Sequence, residues 1–257
     1  MAEITWLGRS CFELRTQPQQ RVLLDPYLEL YRTRRTHPYP PPDMVCVSHG
    51  HLDHFADVPD LIRGDSPALM VAAPRLCHAL GELIPETRHR LFPLAWDDDF
   101  EVQGIPFFAF RSPPMQTSLY DMFEEFGTAR VEAFLRAVRQ LADEILYLPV
   151  TSFGVEVDRT RVLHFVAEVR DGNEEVDVAA IGARFKPDVA LVSVNPGEQE
   201  RLAGHAAALG APLVIPHHHH AYGKLPAADL DLFAGTLGRL APGCKLLVLN
   251  EMEAVTI

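Results

Sequence analysis

Six consecutive residues, His49-Gly50-His51-Leu52-Asp53-His54, gather three imidazoles and a carboxylate. These donor types hold Zn²⁺ and also accept Fe or Mn. In an extended backbone, side chains two residues apart point to the same side, which sends His49 and His51 together. Gly50 has no Cβ and lets the chain turn closely between them. Asp53 and His54 are adjacent and diverge, so each could serve a different metal of a pair. A histidine pair on a turn is ordinarily a surface feature. Three histidines and an aspartate in six residues, directly after an apolar run, indicate a metal site.

The elements that must position this run are legible on either side of it. Met44-Val45-Cys46-Val47 is a continuous apolar stretch of strand length, expected to be buried on both faces. Ile4–Leu7, Cys11–Leu14 and Arg21–Asp25 read as earlier strands, and Arg32 to Pro42 as an Arg- and Pro-rich loop. After the motif come a helix over Val58–Ile62, a strand over Ala68–Ala72, and a helix from Pro74 to about Leu83, with proline at its first position. Strands are expected at Glu101–Val102 and Phe107–Phe110. Residues 121–146 carry apolar positions at mostly helical spacing, with Gly127 as a breaking point.

The second half echoes the first. Ser10–Leu14 followed by Arg21-Val22-Leu23 matches Ser152–Val157 followed by Arg161-Val162-Leu163. The frame Pro42-Asp43-(apolar)-Ser48 matches Pro187-Asp188-(apolar)-Ser193. Two related α/β halves would pack their sheets together and leave the helices outside, a four-layer arrangement.

Composition sets the bounds. With 23 Lys+Arg against 35 Asp+Glu, the 257-residue chain carries a formal charge of −12. That balance disfavours a nucleic-acid or anionic-membrane footprint. The four cysteines form no CxxC pair, which argues against a disulfide framework or zinc knuckle, and Cys11 and Cys46 are expected to be buried thiols. No apolar stretch approaches the ~18 residues of a membrane helix. The opening Met-Ala-Glu-Ile-Thr-Trp lacks the features of a signal peptide, so a cytoplasmic location is expected.

The run at 49–54 resembles the His-x-His-x-Asp-His signature of the metallo-β-lactamase superfamily. Ile4–Ser10, Leu23–Pro26, Asp43–His54, Pro187–Ser193 and Leu213–His218 are similar to the branch that contains ascorbate-phosphate lactonases and many metal-dependent hydrolases. The resemblance implies an α/β fold, an αββα sandwich with the site at one edge between the sheets. Residues 1–257 would form one such domain, with a helical insertion at about 116–146. It also implies that His49 and His51 serve one metal site, while Asp53 and His54 serve a second together with a C-terminal histidine. His218 fits that last role, and the run His217–His220 leaves its register open by one or two positions.

Two positions depart from the family pattern. The bridging aspartate of a Gly-Asp pair is expected after Arg161–His164, where the chain reads Phe165-Val166-Ala167-Glu168; Glu168 is the nearby candidate, as a ligand or as an exposed carboxylate. The third histidine of the first site is replaced by Arg111, in Ala109-Phe110-Arg111-Ser112. Arginine offers no lone pair to a metal, so the first site is short of a ligand unless His164 or another group substitutes. Arg111 is therefore read either as a cationic fork beside a single metal or as a surface residue. Arg32, Arg34, Arg35 and His37 could steer an anionic substrate or form a solvated cluster. The insertion, with Phe123, Phe126 and Phe134, could be a lid, a surface for homo-oligomer formation, or ordinary packing.

The expected function is metal-assisted hydrolysis of a phosphodiester, lactone or similar ester in a small, anionic substrate, with one or two Zn²⁺ (or Mn²⁺ or Fe). Asp53 would orient or deprotonate a water, Arg111 would stabilise negative charge, and a histidine such as His220 would protonate the leaving group. The rivals are a nuclease on the same scaffold and a non-hydrolytic member that binds a metal or ligand.

Overall fold

A computed structural model of the protein describes residues 2–17, 19–112, 126–138, 150–167, 176–221 and 226–257. The first sheet contains β1 (Glu3–Gly8), β2 (Cys11–Arg15), β3 (Arg21–Leu24), β4 (Met44–Val47), β5 (Leu69–Ala72) and β6 (Leu91–Pro93), with β14 (Ala254–Thr256) paired beside β1. The second contains β7 (Asp99–Val102), β8 (Ile105–Arg111), β9 (Thr151–Val157), β10 (Thr160–Phe165), β11 (Val189–Ser193), β12 (Leu213–His217) and β13 (Lys245–Leu246). Within each sheet antiparallel hairpins give way to parallel pairing, at β3–β4 in the first and β10–β11 in the second.

The apolar run of β4 divides as a doubly buried strand must. Met44 and Cys46 join the layer between the sheets with Trp6, Phe12, Phe107, Phe153 and Ile215. Val45 and Val47 face outward against α4 (Pro74–Leu83), through Leu76, Cys77 and Leu80. The second sheet is covered by α6 (Val178–Phe185), α7 (Gln199–Leu209) and α8 (Leu230–Leu240). Burying each large apolar side chain contributes on the order of 1.5–3 kcal/mol, so these layers hold the strand ends rigidly in place.

The echo between halves is a structural one. In the first, the Asp43 amide donates to the Arg21 carbonyl and the Asp43 carboxylate accepts from the Arg21 amide. In the second, Asp188 and Arg161 make the same two bonds. The repeated Pro-Asp thus locks each hairpin to the parallel strand that follows it.

Local chemistry sets the helix limits. Asp177 and Asp229 cap α6 and α8 by accepting from the amides of Ala180 and Leu232. Helix α7 stops at Gly210, whose φ of 69° suits glycine. The structure corrects the expected Arg32–Pro42 loop at its start: α1 (Glu29–Arg34) forms a helix, because Leu28 and Tyr31 bury against Leu7 and Leu23. Gly127 (φ 80°) precedes α5 (Thr128–Val138), whose Val131 and Phe134 pack on Phe55 and its neighbours. The rest of the expected 121–146 helix lies outside the described residues. Cys11, Cys46 and Cys77 are free, buried thiols.

Gly182 on α6 meets the end of α7 backbone to backbone. A Cβ there would lie 2.4 Å from the Leu209 carbonyl oxygen. Neither backbone can retreat without moving a whole helix. Gly182→Ala is expected to cost about 2–3 kcal/mol in urea unfolding; a loss under about 0.5 kcal/mol would show that α6 and α7 slide freely.

Candidate metal centre

Strand β4 ends at the edge of the first sheet, and the chain passes through Ser48, His49, Gly50 and His51 into the short helix α2 (Leu52–Phe55). The four polar members of the motif are buried. On α2, Asp53 and His54 do not separate. Their ligand atoms lie together with one of His218, all within 4.8 Å of one another, a buried group able to hold a metal ion. His218 Nε2 is 3.0 Å from Asp53 Oδ2, and His54 Nε2 is 3.8 Å from the same oxygen. His49 packs beside this group, its ring 4.0 Å from that of His54 and 4.5 Å from that of His51.

Asp25, at the end of β3, orients this array. Its Oδ1 accepts from the Ser48 amide (2.7 Å), and its Oδ2 accepts from the Ser48 hydroxyl (2.6 Å) and faces His54 Nδ1 at 2.6 Å. Ser48 has one hydroxyl proton, donated to Asp25, so its oxygen accepts from His49 Nδ1 at 2.9 Å. Each imidazole then carries its proton on Nδ1 and keeps the Nε2 lone pair for a metal. The sequence reading missed Asp25 in this role. The available signal was a carboxylate ending an apolar strand next to the motif strand.

Arg9, in the β1–β2 turn, was missed as well. Its guanidinium lies 3.0 Å from Asp53 Oδ2, with both side chains under 10% exposed. Burial alone would raise the Asp53 pKa, but the neighbouring His54, Arg9 and His218 hold it well below the ordinary carboxylate range. Asp53 therefore stands as a carboxylate, suited to a cation.

The four histidines at 217–220 diverge. His217 ends β12 and is fully buried, 5.4 Å from the Phe12 ring and 5.2 Å from that of His164. His218 takes a left-handed backbone (φ 62°) that carries it to Asp53. His219 stacks on Trp6 at 5.1 Å, and burial beside His220 and His218 pushes its pKa down to about 4. His220 also stacks on Trp6 and pairs with Glu251 at 3.2 Å.

Arg111 ends β8 beside Thr151 and is exposed, its guanidinium 5.1 Å above the Trp96 ring. Glu168 lies outside the described residues. Arg32 pairs with Asp57 and Arg34 with Glu251, while His37 bonds Tyr31.

A cavity of about 300 Å³ opens beside the centre. Its lining includes Arg9, His218, His220, Trp6 and Leu30, and among the described residues does not include Arg111. Its two carboxylates, Glu29 and Glu251, are matched by Arg130 and Arg34.

Residues 3–218 match the model of the beta-lactamase superfamily domain. A protein of Methanosphaerula palustris named a UPF0173 metal-dependent hydrolase is 27% identical over 239 residues, covering 92% of this chain and 91% of that protein. Among solved structures, Igni18, described as a metallo hydrolase of Ignicoccus hospitalis, superposes with a TM-score of 0.70 at 17% identity, over 99% of this chain and 97% of its own. The metallo-beta-lactamase fold protein YhfI of Bacillus subtilis gives a TM-score of 0.64 at 12% identity, over 99% and 98%. Both likenesses are of fold. Among the described residues, no helix is long and apolar enough to cross a membrane.

Proposed function

The chain belongs to the beta-lactamase superfamily, and from that membership and its buried donor group we propose that it is a metal-dependent hydrolase of small ester-type substrates. The observation that carries this reading is the convergence of Asp53, His54 and His218 in one buried donor group, of which His218 also lines a cavity. Two imidazoles and a carboxylate, buried and with His54 oriented by Asp25, fit Zn²⁺, with Mn²⁺ or Fe as alternatives. His49 and His51 extend the donor set on one side. A metal ion bound there supplies Lewis acidity, lowering the pKa of a water and polarising a carbonyl or phosphoryl oxygen.

The remaining work falls to the chain's own residues. Asp25 fixes the tautomers of His54 and His49. Asp53, held as a carboxylate, binds the ion and can accept a hydrogen bond from the attacking water. His220, paired with Glu251 in the cavity, is placed to hand a proton to a leaving oxygen. The cavity's size suits a small molecule. Arg9 on its wall, whose planar donors suit a carboxylate or phosphate, supports an anionic substrate such as a phosphodiester or a lactone bearing an acidic group.

The test begins with elemental analysis of protein purified without added metal or a histidine tag, followed by screens against lactones and phosphodiesters. We expect bound metal and turnover that a chelator abolishes and added Zn²⁺ or Mn²⁺ restores. Protein that takes up no metal after reconstitution would rule the reading out. Metal uptake with no ester turned over would leave a ligand-binding member of the fold.

A further inference from the structure

Arg9 is an unusual group to find against a metal ligand. It is buried, and its guanidinium shares Asp53 Oδ2 with His218 Nε2, each at 3.0 Å. Its place is built into the backbone. Arg9 adopts a left-handed conformation (φ 51°), and its carbonyl accepts from the Trp6 indole at 2.9 Å and from the His218 amide at 3.3 Å. One turn therefore fixes Arg9 and His218 relative to each other. The guanidinium also lies 5.8 Å from the Phe126 ring, which covers it. Beyond Asp53, Arg9 borders the cavity with Leu7, Leu30 and Trp6.

We infer that Arg9 is the second cation of the centre: it takes the charge-balancing place of a second metal ion and offers its fork to the anionic oxygen of the substrate, whose apolar part lies against Leu7 and Leu30. This rests on the hydrolase reading above. A carboxylate oxygen that already accepts from a guanidinium has less of its charge left to offer a metal ion. A fixed positive charge beside it repels a further dication at these buried side chains. Arginine cannot lose its proton to relieve that repulsion. Its donors lie in a plane, which suits two-point recognition of a carboxylate or phosphate.

The inference has a signature that a packing role would not share. If Arg9 competes with metal for Asp53, removing its charge tightens metal binding while slowing the reaction. Zinc titration of metal-stripped wild type is expected to saturate at one equivalent per chain. Arg9→Met, which keeps an apolar stem under Phe126, is expected to bind zinc at least about tenfold more tightly, or to take a second equivalent. Its kcat/KM on an anionic lactone or phosphodiester should fall about 100-fold. Arg9→Lys keeps the charge without the fork. It should hold zinc within about threefold of wild type while its KM for the anionic substrate rises about tenfold.

A wild type that takes two equivalents overturns the inference, as does an Arg9→Met protein that binds zinc no more tightly and takes no second equivalent. If Arg9→Met does not fold, the lysine variant decides: unchanged KM overturns the role of the fork. A wild type that binds no zinc overturns the hydrolase reading and this inference together, and that result is read before any variant is made.

Discussion

Asp53→Asn is expected to strip the centre of its metal and to lower hydrolysis by about 10³-fold or more, since metal assistance is worth several kcal/mol of transition-state stabilisation. The change keeps the shape of the side chain and removes its charge, so turnover is read beside urea unfolding to separate chemistry from folding. That charge is the focus of the site. His218 Nε2 and the Arg9 guanidinium both lie 3.0 Å from one of its oxygens, and the Nε2 of His54 lies 3.8 Å away. Taking one partner from a buried ion pair leaves the other uncompensated, and Arg9 would be so left, at a cost of about 3–5 kcal/mol.

The pH dependence follows from the lowered pKa of Asp53. A carboxylate whose folded pKa is depressed contributes stability that is complete above its ordinary value of 3.8 and is lost as the pH falls through the folded value. Asp53→Asn should therefore flatten the acid limb of the stability curve. The checks are elemental analysis, turnover and urea unfolding across acid pH. Wild-type metal content with more than about a tenth of the activity would remove Asp53 from the ligand set.

Asp25→Ala carries the second large effect, at a residue that touches no substrate. The Asp25 side chain is fully buried and takes contacts from the Ser48 amide, the Ser48 hydroxyl and His54 Nδ1. Alanine would leave these three donors without their acceptor, each at about 1–3 kcal/mol. It would also free His54 to change tautomer and His49 to turn, since the Ser48 hydroxyl would lose its anchor. Partners of this kind are typically worth about 10–100-fold in metal affinity or activity. Asp25→Asn is the control for folding. It keeps the volume and part of the bonding, but presents an amide where His54 needs an acceptor. We expect it to fold near wild type and still lose at least about tenfold in zinc affinity. Equal affinity in Asp25→Asn would mean that the histidines are held by packing alone.

Features that depend on neighbours in the chain were legible from the residues alone. The apolar run of β4 followed at once by His49–His54 is a local pattern, and so is the Pro-Asp frame that closes each half. Strand periodicity sufficed to place Phe107–Phe110 in a strand, and Pro74 to start a helix. Those features follow from backbone geometry and apolar spacing, which act over a few residues. The buried motif and the family resemblance followed from the same segments.

Which residues from distant segments meet is fixed by the packing of the folded chain. Four consecutive histidines look equivalent in sequence. They are separated by the end of β12, the left-handed backbone of His218, and the Trp6 ring that stacks on the last two. Arg9 stands 44 positions before Asp53 in the chain, and Asp25 lies 29 positions before His54. Each reaches the motif because β1, β2, β3 and β4 are neighbours in one sheet, whose edge brings their connecting turns together. Arg111 shows the converse: its strand was legible, but the direction of its guanidinium, over Trp96, depended on a ring from another loop. Periodicity sets the face on which a side chain begins; the charges and rings folded against that face set where it ends.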